Sequence, residues 1–193
     1  MPITVGVIII IRDFNWLLFS LMINIQEILQ SNKKHKEKVA LITAKVKSDK
    51  KIIAQLFELL ETGTDVEKGT AAEVMKFVSK DQPEIMVPYI DVLIEYIDYK
   101  APRVKWGCPE SLGNLAKKYP NKVEKAIPRL LENLKDKSTV VRWCAAFALA
   151  EIAKYNLKKQ KELVAKFQNL IKTEQNNGVK NVYVKALKVI GEE

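Results

Sequence analysis

The fold is decided by residues 127–153, IPRLLENLKDKSTVVRWCAAFALAEIA. From Ile127 onward, apolar residues recur at i, i+3 and i+7, which is the stripe of an amphipathic helix. From Ala145 onward they recur at i, i+4 and i+7, a second helical stripe. The polar stretch 136–139 separates the two stripes. The segment therefore predicts two helices joined by a short turn.

The same two stripes return along the chain in steps of 37 residues. The first stripe gives the columns Ile53, Ile90, Ile127, Val164, then Leu56, Leu93, Leu130, Phe167, then Leu60, Ile97, Leu134, Ile171. The second gives the columns Ala71, Cys108, Ala145, then Met75, Leu112, Leu149, then Val78, Leu115, Ile152. A fixed period of this length indicates an array of stacked helix pairs.

The columns and the turn residues between them predict the bounds of each helix pair. We expect pairs at 49–61 with 66–80, 84–98 with 103–118, 121–135 with 139–155 and 158–173 with 178–191, preceded by a weaker pair at 14–30 with 34–47. Pro109 lies inside a predicted helix, where a proline removes a backbone donor. We expect a kink or a late start of the helix there.

Composition limits the classes of protein. The 193 residues are 48% hydrophobic and 28% charged, as in an ordinary globular chain and unlike a disordered tail or a chain of membrane spans. Two cysteines, Cys108 and Cys144, and one histidine, His35, are too few for a structural zinc site. We expect both cysteines to be buried in the core of a cytoplasmic protein, without a metal or cofactor.

The N-terminal residues 1–33 form an apolar segment and a first helix, treated as separate from the array at 34–193. A membrane span would place Arg12 and Asp13 near the middle of the bilayer, so no span is expected. The alternatives are a buried first helix that caps the array, or an upstream start with Met22 as the true initiator. Self-association through this segment is also open.

The motifs of residues 127–153 resemble the HEAT repeat. The proline and leucine spacing from Ile127, the turn residue Asp136, the Val141-Arg142 pair and the alanine-rich second helix match that family's pattern. The resemblance implies an all-α, right-handed superhelix of about four to five helix pairs, with the second helices lining a concave face. It also implies a polar ladder built from Asp136 and Arg142, with Asp98 and Lys105 as a weaker rung.

Helical rotation of 100° per residue predicts which side chains lie on the concave face. The candidate binding residues are Trp106, Trp143, Phe147, Lys117, Lys154 and Lys185. Aromatic residues among cations are typical of surfaces that bind a peptide or stack on a nucleic acid. The alternative is that the tryptophans pack between neighbouring repeats and that the lysines are simply solvated.

Charge indicates the kind of partner. The net charge is +9, and residues 98–193 contain 20 basic and 10 acidic groups. HEAT-like arrays are mostly non-catalytic scaffolds, so the leading prediction is the recognition of an acidic protein on the concave face. The alternative is nucleic-acid binding by the basic C-terminal half, including a HEAT-like DNA glycosylase role with Glu110 or Glu151 as the carboxylate. A HEAT-like metal hydroxylase is excluded because it needs several histidines.

Overall fold

A computed structural model describes residues 25–191, and every regular element in that range is helical. The α-helices are α1 (Ile25–Gln30), α2 (His35–Ser48), α3 (Ile53–Thr62), α4 (Asp65–Asp81), α5 (Ile90–Glu95), α6 (Pro102–Ala116), α7 (Pro120–Val123), α8 (Ile127–Asn133), α9 (Thr139–Tyr155), α10 (Leu157–Thr173) and α11 (Asn177–Gly191). Short 3-10 helices, Lys50–Ile52, Pro83–Tyr89 and Glu124–Ala126, lead into α3, α5 and α8. The predictions for residues 1–24 lie outside the described residues.

The helices form consecutive antiparallel pairs, and the four predicted pairs between residues 49 and 191 are confirmed. Residues 14–24 of the first predicted pair lie outside the described range. The second helix of each pair, here called an inner helix, is α2, α4, α6, α9 or α11. The inner helices pack on one another in chain order, and each outer helix (α1, α3, α5, α8 and α10) packs on the inner helix of its own pair. Contact is therefore made between neighbouring layers, which is the architecture of an α-solenoid.

The columns of the repeat form the core. Leu56, Leu93, Leu130 and Phe167 are completely buried, as are Met75, Leu112 and Leu149 of the inner helices. Burial of these apolar side chains supplies the main free energy that holds the layers together. The stripes that identified the helices are thus also the surfaces along which the helices pack.

Neighbouring inner helices approach closely at two glycines. A Cβ atom on Gly107 would lie 2.5 Å from the main-chain oxygen of Ala72 in the preceding inner helix. A Cβ on Gly113 would lie 2.7 Å from the ring of Phe147 in the following one. The absence of a side chain at these positions lets α4, α6 and α9 pack at short range, which fixes the positions of their exposed side chains.

Of the kink or late start expected at Pro109, the late start is wrong. Helix α6 begins at Pro102 and continues through Pro109 to Ala116. Pro102 is tolerated in the first turn, where its missing N–H would have no intrahelical acceptor. Pro109 is buried among the neighbouring layers, and this packing holds the helix together across the lost hydrogen bond.

A polar ladder joins successive helix pairs on the side where outer helices turn into inner ones. Its rungs connect an inner-helix cation with the next pair's turn: Lys68 with Tyr99, Lys105 with Asp136, and Arg142 with Glu174. Lys105 donates to Asp136 at 2.8 Å. Arg142 donates to both carboxylate oxygens of Glu174, at 2.9 and 3.2 Å. The rungs therefore link neighbouring repeats in addition to the apolar core.

The predicted ladder partners need correction. Asp98 does not pair with Lys105 and accepts instead from Arg129 at 3.2 Å. Tyr99 stands at the position equivalent to Asp136, since it precedes Asp136 by 37 residues. Within Asp136, only the main-chain oxygen accepts a hydrogen bond from Arg142. The error arose because the rung joins neighbouring repeats, whereas the prediction joined residues within one repeat.

Candidate binding surface

Most of the exposed large apolar residues lie on the inner helices. Eight large hydrophobic residues are exposed in the described part of the chain, and seven of them lie on inner helices: Leu41, Val66, Phe77, Val140, Trp143, Val184 and Val189. The eighth, Leu157, is the first residue of outer helix α10. Exposed apolar residues that lie close together mark an interaction surface more often than scattered ones do, and Val140 and Trp143 are one turn apart on α9.

Two predicted site residues form an aromatic pair at the centre of this face. The rings of Trp143 and Phe147 stack with their centres 5.7 Å apart and their planes 3° apart. Phe147 is held in place against Gly113, whereas Trp143 remains 38% exposed. The pair therefore presents a flat apolar surface whose orientation is fixed by the packing of α6 on α9.

Trp106, in the same column as Trp143, is in a different environment. It is half-buried and lines a hollow of about 280 Å³ between α4 and α6, together with the charged residues Glu73, Lys76, Arg103 and Glu110. Its indole Nε1 is buried and has no hydrogen-bond acceptor among the described residues. The structure thus brings Trp143 and Phe147 together and leaves Trp106 in a recess lined by charged side chains and by Val140 of α9.

The three predicted lysines are also in different states. Lys154 forms an ion pair with Glu151 at 2.6 Å. Lys117, immediately after α6, and Lys185, on α11, are exposed and make no ion pair within residues 25–191. Lys80 precedes Lys117 by one repeat, and sequence reasoning missed it. The same step of 37 that linked the other columns was the signal that identifies it.

Each described carboxylate of the C-terminal half has an ion-pair or hydrogen-bond partner. Between residues 98 and 191, the acidic side chains that form ion pairs are Asp98, Glu110, Glu132, Asp136, Glu151, Glu162 and Glu174. The remaining one, Glu124, accepts a hydrogen bond from Asn156 at 2.7 Å. In the same range, nine lysines form no ion pair with a described residue: Lys117, Lys122, Lys137, Lys158, Lys159, Lys161, Lys172, Lys180 and Lys185. The charge left for a partner is therefore positive.

The groups considered for chemistry are engaged in other contacts. Both cysteines are buried, and burial raises the pKa of each thiol. Glu110 lies 3.7 Å from Lys76 and 3.5 Å from the Cys144 sulfur. His35 is hydrogen-bonded to Glu73 at 2.8 Å. Within residues 25–191, no cluster of three or more His, Cys, Asp or Glu residues could hold a metal ion.

Comparison with known proteins supports the architecture. The family model of the non-SMC mitotic condensation complex subunit 1 matches residues 110–193, which is less than half of the chain. No curated protein matches the sequence significantly. Among the described helices, none has both the length and the apolar character to cross a membrane.

Several solved structures share the fold at low identity. An engineered protein superposes with a TM-score of 0.68 at 20% identity, covering 87% of this chain and 78% of its own. A protein among computationally designed armadillo repeat proteins for modular peptide recognition gives 0.65 at 18%, covering 86% and 80%. A designed armadillo repeat protein in complex with the peptide (KR)4 gives 0.65 at 16%, covering 87% and 86%. With its repeated columns and stacked helix pairs, the chain is a HEAT-like repeat protein with an α-solenoid fold.

Proposed function

We propose that the chain is a non-catalytic scaffold that binds an acidic protein on the exposed face of its inner helices. The concentration of exposed apolar residues on that face is the observation on which the proposal rests. A stacked pair such as Trp143 and Phe147 loses little conformational entropy on binding, because its packing already holds it in one orientation. Tryptophan is also among the residues that contribute most at protein interfaces.

Charge defines the partner. Since every described carboxylate between residues 98 and 191 is engaged and nine lysines are not, the C-terminal half attracts anions. Lys117 lies at the end of inner helix α6 and Lys185 lies on inner helix α11. Carboxylates on the partner steer the encounter towards this face and fix its orientation, while the aromatic contacts supply affinity.

The similar proteins support the mode of binding more than the identity of the ligand. Two of them are described as recognising a peptide, and one holds the basic peptide (KR)4. The free charge of the present chain has the opposite sign to that which a basic peptide requires. We therefore propose that this solenoid binds an acidic partner, in contrast to the basic peptide bound by the designed protein. A cytoplasmic location stays a prediction.

Affinity capture from the native extract tests the proposal with matched variants. The chain, Trp143→Ser and Leu157→Ser are immobilised in parallel, since both substitutions replace an exposed apolar residue by serine on opposite layers. We expect an acidic protein to be retained by the chain and by Leu157→Ser, and to be lost from Trp143→Ser. Equal retention by both variants contradicts the proposed face.

A second measurement separates the acidic protein from a nucleic acid. Binding of generic duplex and single-stranded DNA is titrated with salt, because phosphate contacts give a steep dependence of affinity on salt concentration. We expect weak, purely salt-dependent DNA binding that Trp143→Ser does not change. Tight DNA binding that is lost with Lys117→Glu, Lys154→Glu and Lys185→Glu together contradicts an acidic protein as the partner.

A further inference from the structure

Three lysines form a column across the inner helices, one repeat apart. Lys80 lies in the last turn of α4, Lys117 follows the end of α6, and Lys154 lies in the last turn of α9. The spacing of 37 residues in sequence places them at equivalent positions of adjacent layers. Lys80 and Lys117 are exposed and form no ion pair within the described residues. We call Lys80, Lys117 and Lys154 the lysine column.

The axes of adjacent packed helices are about 8–10 Å apart, so we expect the Cα atoms of successive members of the lysine column to be separated by a similar distance. A polyproline II segment rises about 3.1 Å per residue with three residues per turn. Its side chains at i and i+3 therefore point to the same side and lie about 9 Å apart. A regular β-strand does not fit, because its side chains at i and i+3 point to opposite faces.

An amphipathic helix is a poorer occupant. It needs a continuous apolar groove for its i, i+3, i+4 and i+7 anchors. The row of residues beside the lysine column is Phe77, Asn114 and Glu151, of which only the first is apolar. Asn114 is also fixed by hydrogen bonds to the Lys76 oxygen and to Ser79, both at 3.0 Å. The row therefore provides no continuous apolar stripe.

We propose that the lysine column binds an extended acidic segment of the partner, in polyproline II conformation, with a carboxylate at every third residue. This inference rests on the proposed function and specifies the chemistry of the partner. Acidic segments poor in apolar residues do not fold by themselves and populate this conformation. Each carboxylate pairs with one lysine, so that one register of the segment is favoured over its neighbours.

The three lysines contribute unequally. The incoming carboxylate must compete with Glu151 for Lys154, since that pair is already 2.6 Å apart. Lys80 and Lys117 have no such competitor among the described residues. Removal of charge at Lys80 or Lys117 is therefore expected to weaken binding more than removal at Lys154.

Two labelled peptides of equal length and composition test the spacing in the intact chain. Each has three glutamates in a proline- and serine-rich frame, placed at i, i+3 and i+6 in one peptide and at i, i+2 and i+4 in the other. Fluorescence anisotropy at low salt measures their dissociation constants. We expect the first to bind about fivefold more tightly, a modest ratio because exposed ion pairs contribute little individually. Lys80→Gln weakens the first peptide about threefold and leaves the second unchanged.

Lys172→Gln is the matched control, because Lys172 is an exposed lysine in the last turn of α10, as Lys80 is in α4. We expect it to bind both peptides as the unchanged chain does. Equal affinity for the two peptides, or an equal loss of affinity in Lys80→Gln and Lys172→Gln, overturns the proposed spacing of carboxylates. Either result is still compatible with an acidic partner. Binding of neither peptide, or tighter binding of an oligothymidylate, also overturns it. The proposed function is tested separately, by whether the acidic protein is retained on Trp143→Ser.

Discussion

The outer and inner helices of the array differ in how closely they pack, although ion pairs such as Lys76 with Glu110 also join neighbouring inner helices. On the outer side, exposed ion pairs connect neighbouring repeats, such as Lys50 with Glu84 and Lys125 with Asp91. On the inner side, neighbouring helices touch through main chain and small residues, as at Gly107. The exposed inner surface combines apolar side chains such as Trp143 with lysines such as Lys80 and Lys117. The difference indicates that close packing of the inner helices maintains the fold while leaving side chains such as Trp143 available for binding.

The largest expected effect comes from Gly107→Ala in the inner layer. Its Cβ would meet the main-chain oxygen of Ala72 at 2.5 Å, so α4 and α6 must move apart. We expect the free energy of unfolding to fall by about 3 kcal/mol, as for other overpacked sites. Urea unfolding followed by circular dichroism measures it. Gly191→Ala is the control, because no atom lies within 4 Å of its Cβ. Equal stability of the two variants contradicts close inner packing.

A smaller effect is expected for Glu174→Gln in the polar ladder. The hydrogen bonds from Arg142 lower the pKa of Glu174 below its ordinary value of 4.5. The stabilisation is therefore complete above pH 4.5 and is lost as the pH falls through the lowered pKa. We expect a loss of about 2 kcal/mol at neutral pH that disappears in acid.

Urea titrations of this variant at neutral and acidic pH measure the difference. Glu162→Gln is the matched control, because Glu162 lies 3.9 Å from Lys166 in an exposed pair on outer helix α10. We expect no appreciable change in its stability at either pH. A loss at Glu174 that persists unchanged in acid contradicts a charge-based rung.

The smallest effect is expected at an exposed residue of the inner face. Val66 and Val74 belong to the same helix, but Val66 is 75% exposed and Val74 is completely buried. Val74→Ala should lower the free energy of unfolding by about 2 kcal/mol. Val66→Ala should change it by less than about 0.5 kcal/mol. Similar losses in thermal or urea unfolding would show that Val66 serves the fold and is not available to a partner.

Much of the fold could be predicted from the sequence because helical stripes and their period are local or evenly spaced properties. The turn before the inner helix of residues 139–155 and its partner at 121–135 were placed within a few residues. The late start at Pro109 was wrong, since local propensity does not include the packing that holds a helix across a proline. Tyr99 was missed in the ladder because the prediction paired residues within one repeat, whereas the rungs join neighbouring repeats.

The site was predicted less completely than the fold. The sequence placed Trp106 and Trp143 in one column, but their surroundings differ because Phe147 stacks only on Trp143. The contacts of Glu110 with Lys76 and Cys144 depend on which layers touch. Lys80 could have been identified from the 37-residue period, but it was overlooked. Equivalent positions in a repeat therefore share an orientation without sharing neighbours.

The sequence by itself determined that the chain is all helical, where its helix pairs lie and which side chains form the core, because amphipathic periodicity is written in each segment. Only the tertiary structure decided which charges are neutralised and which remain for a partner. The ion pairs that settle this, such as Arg142 with Glu174, join residues of different repeats. Their distances are set by the stacking of whole layers, which no single segment specifies.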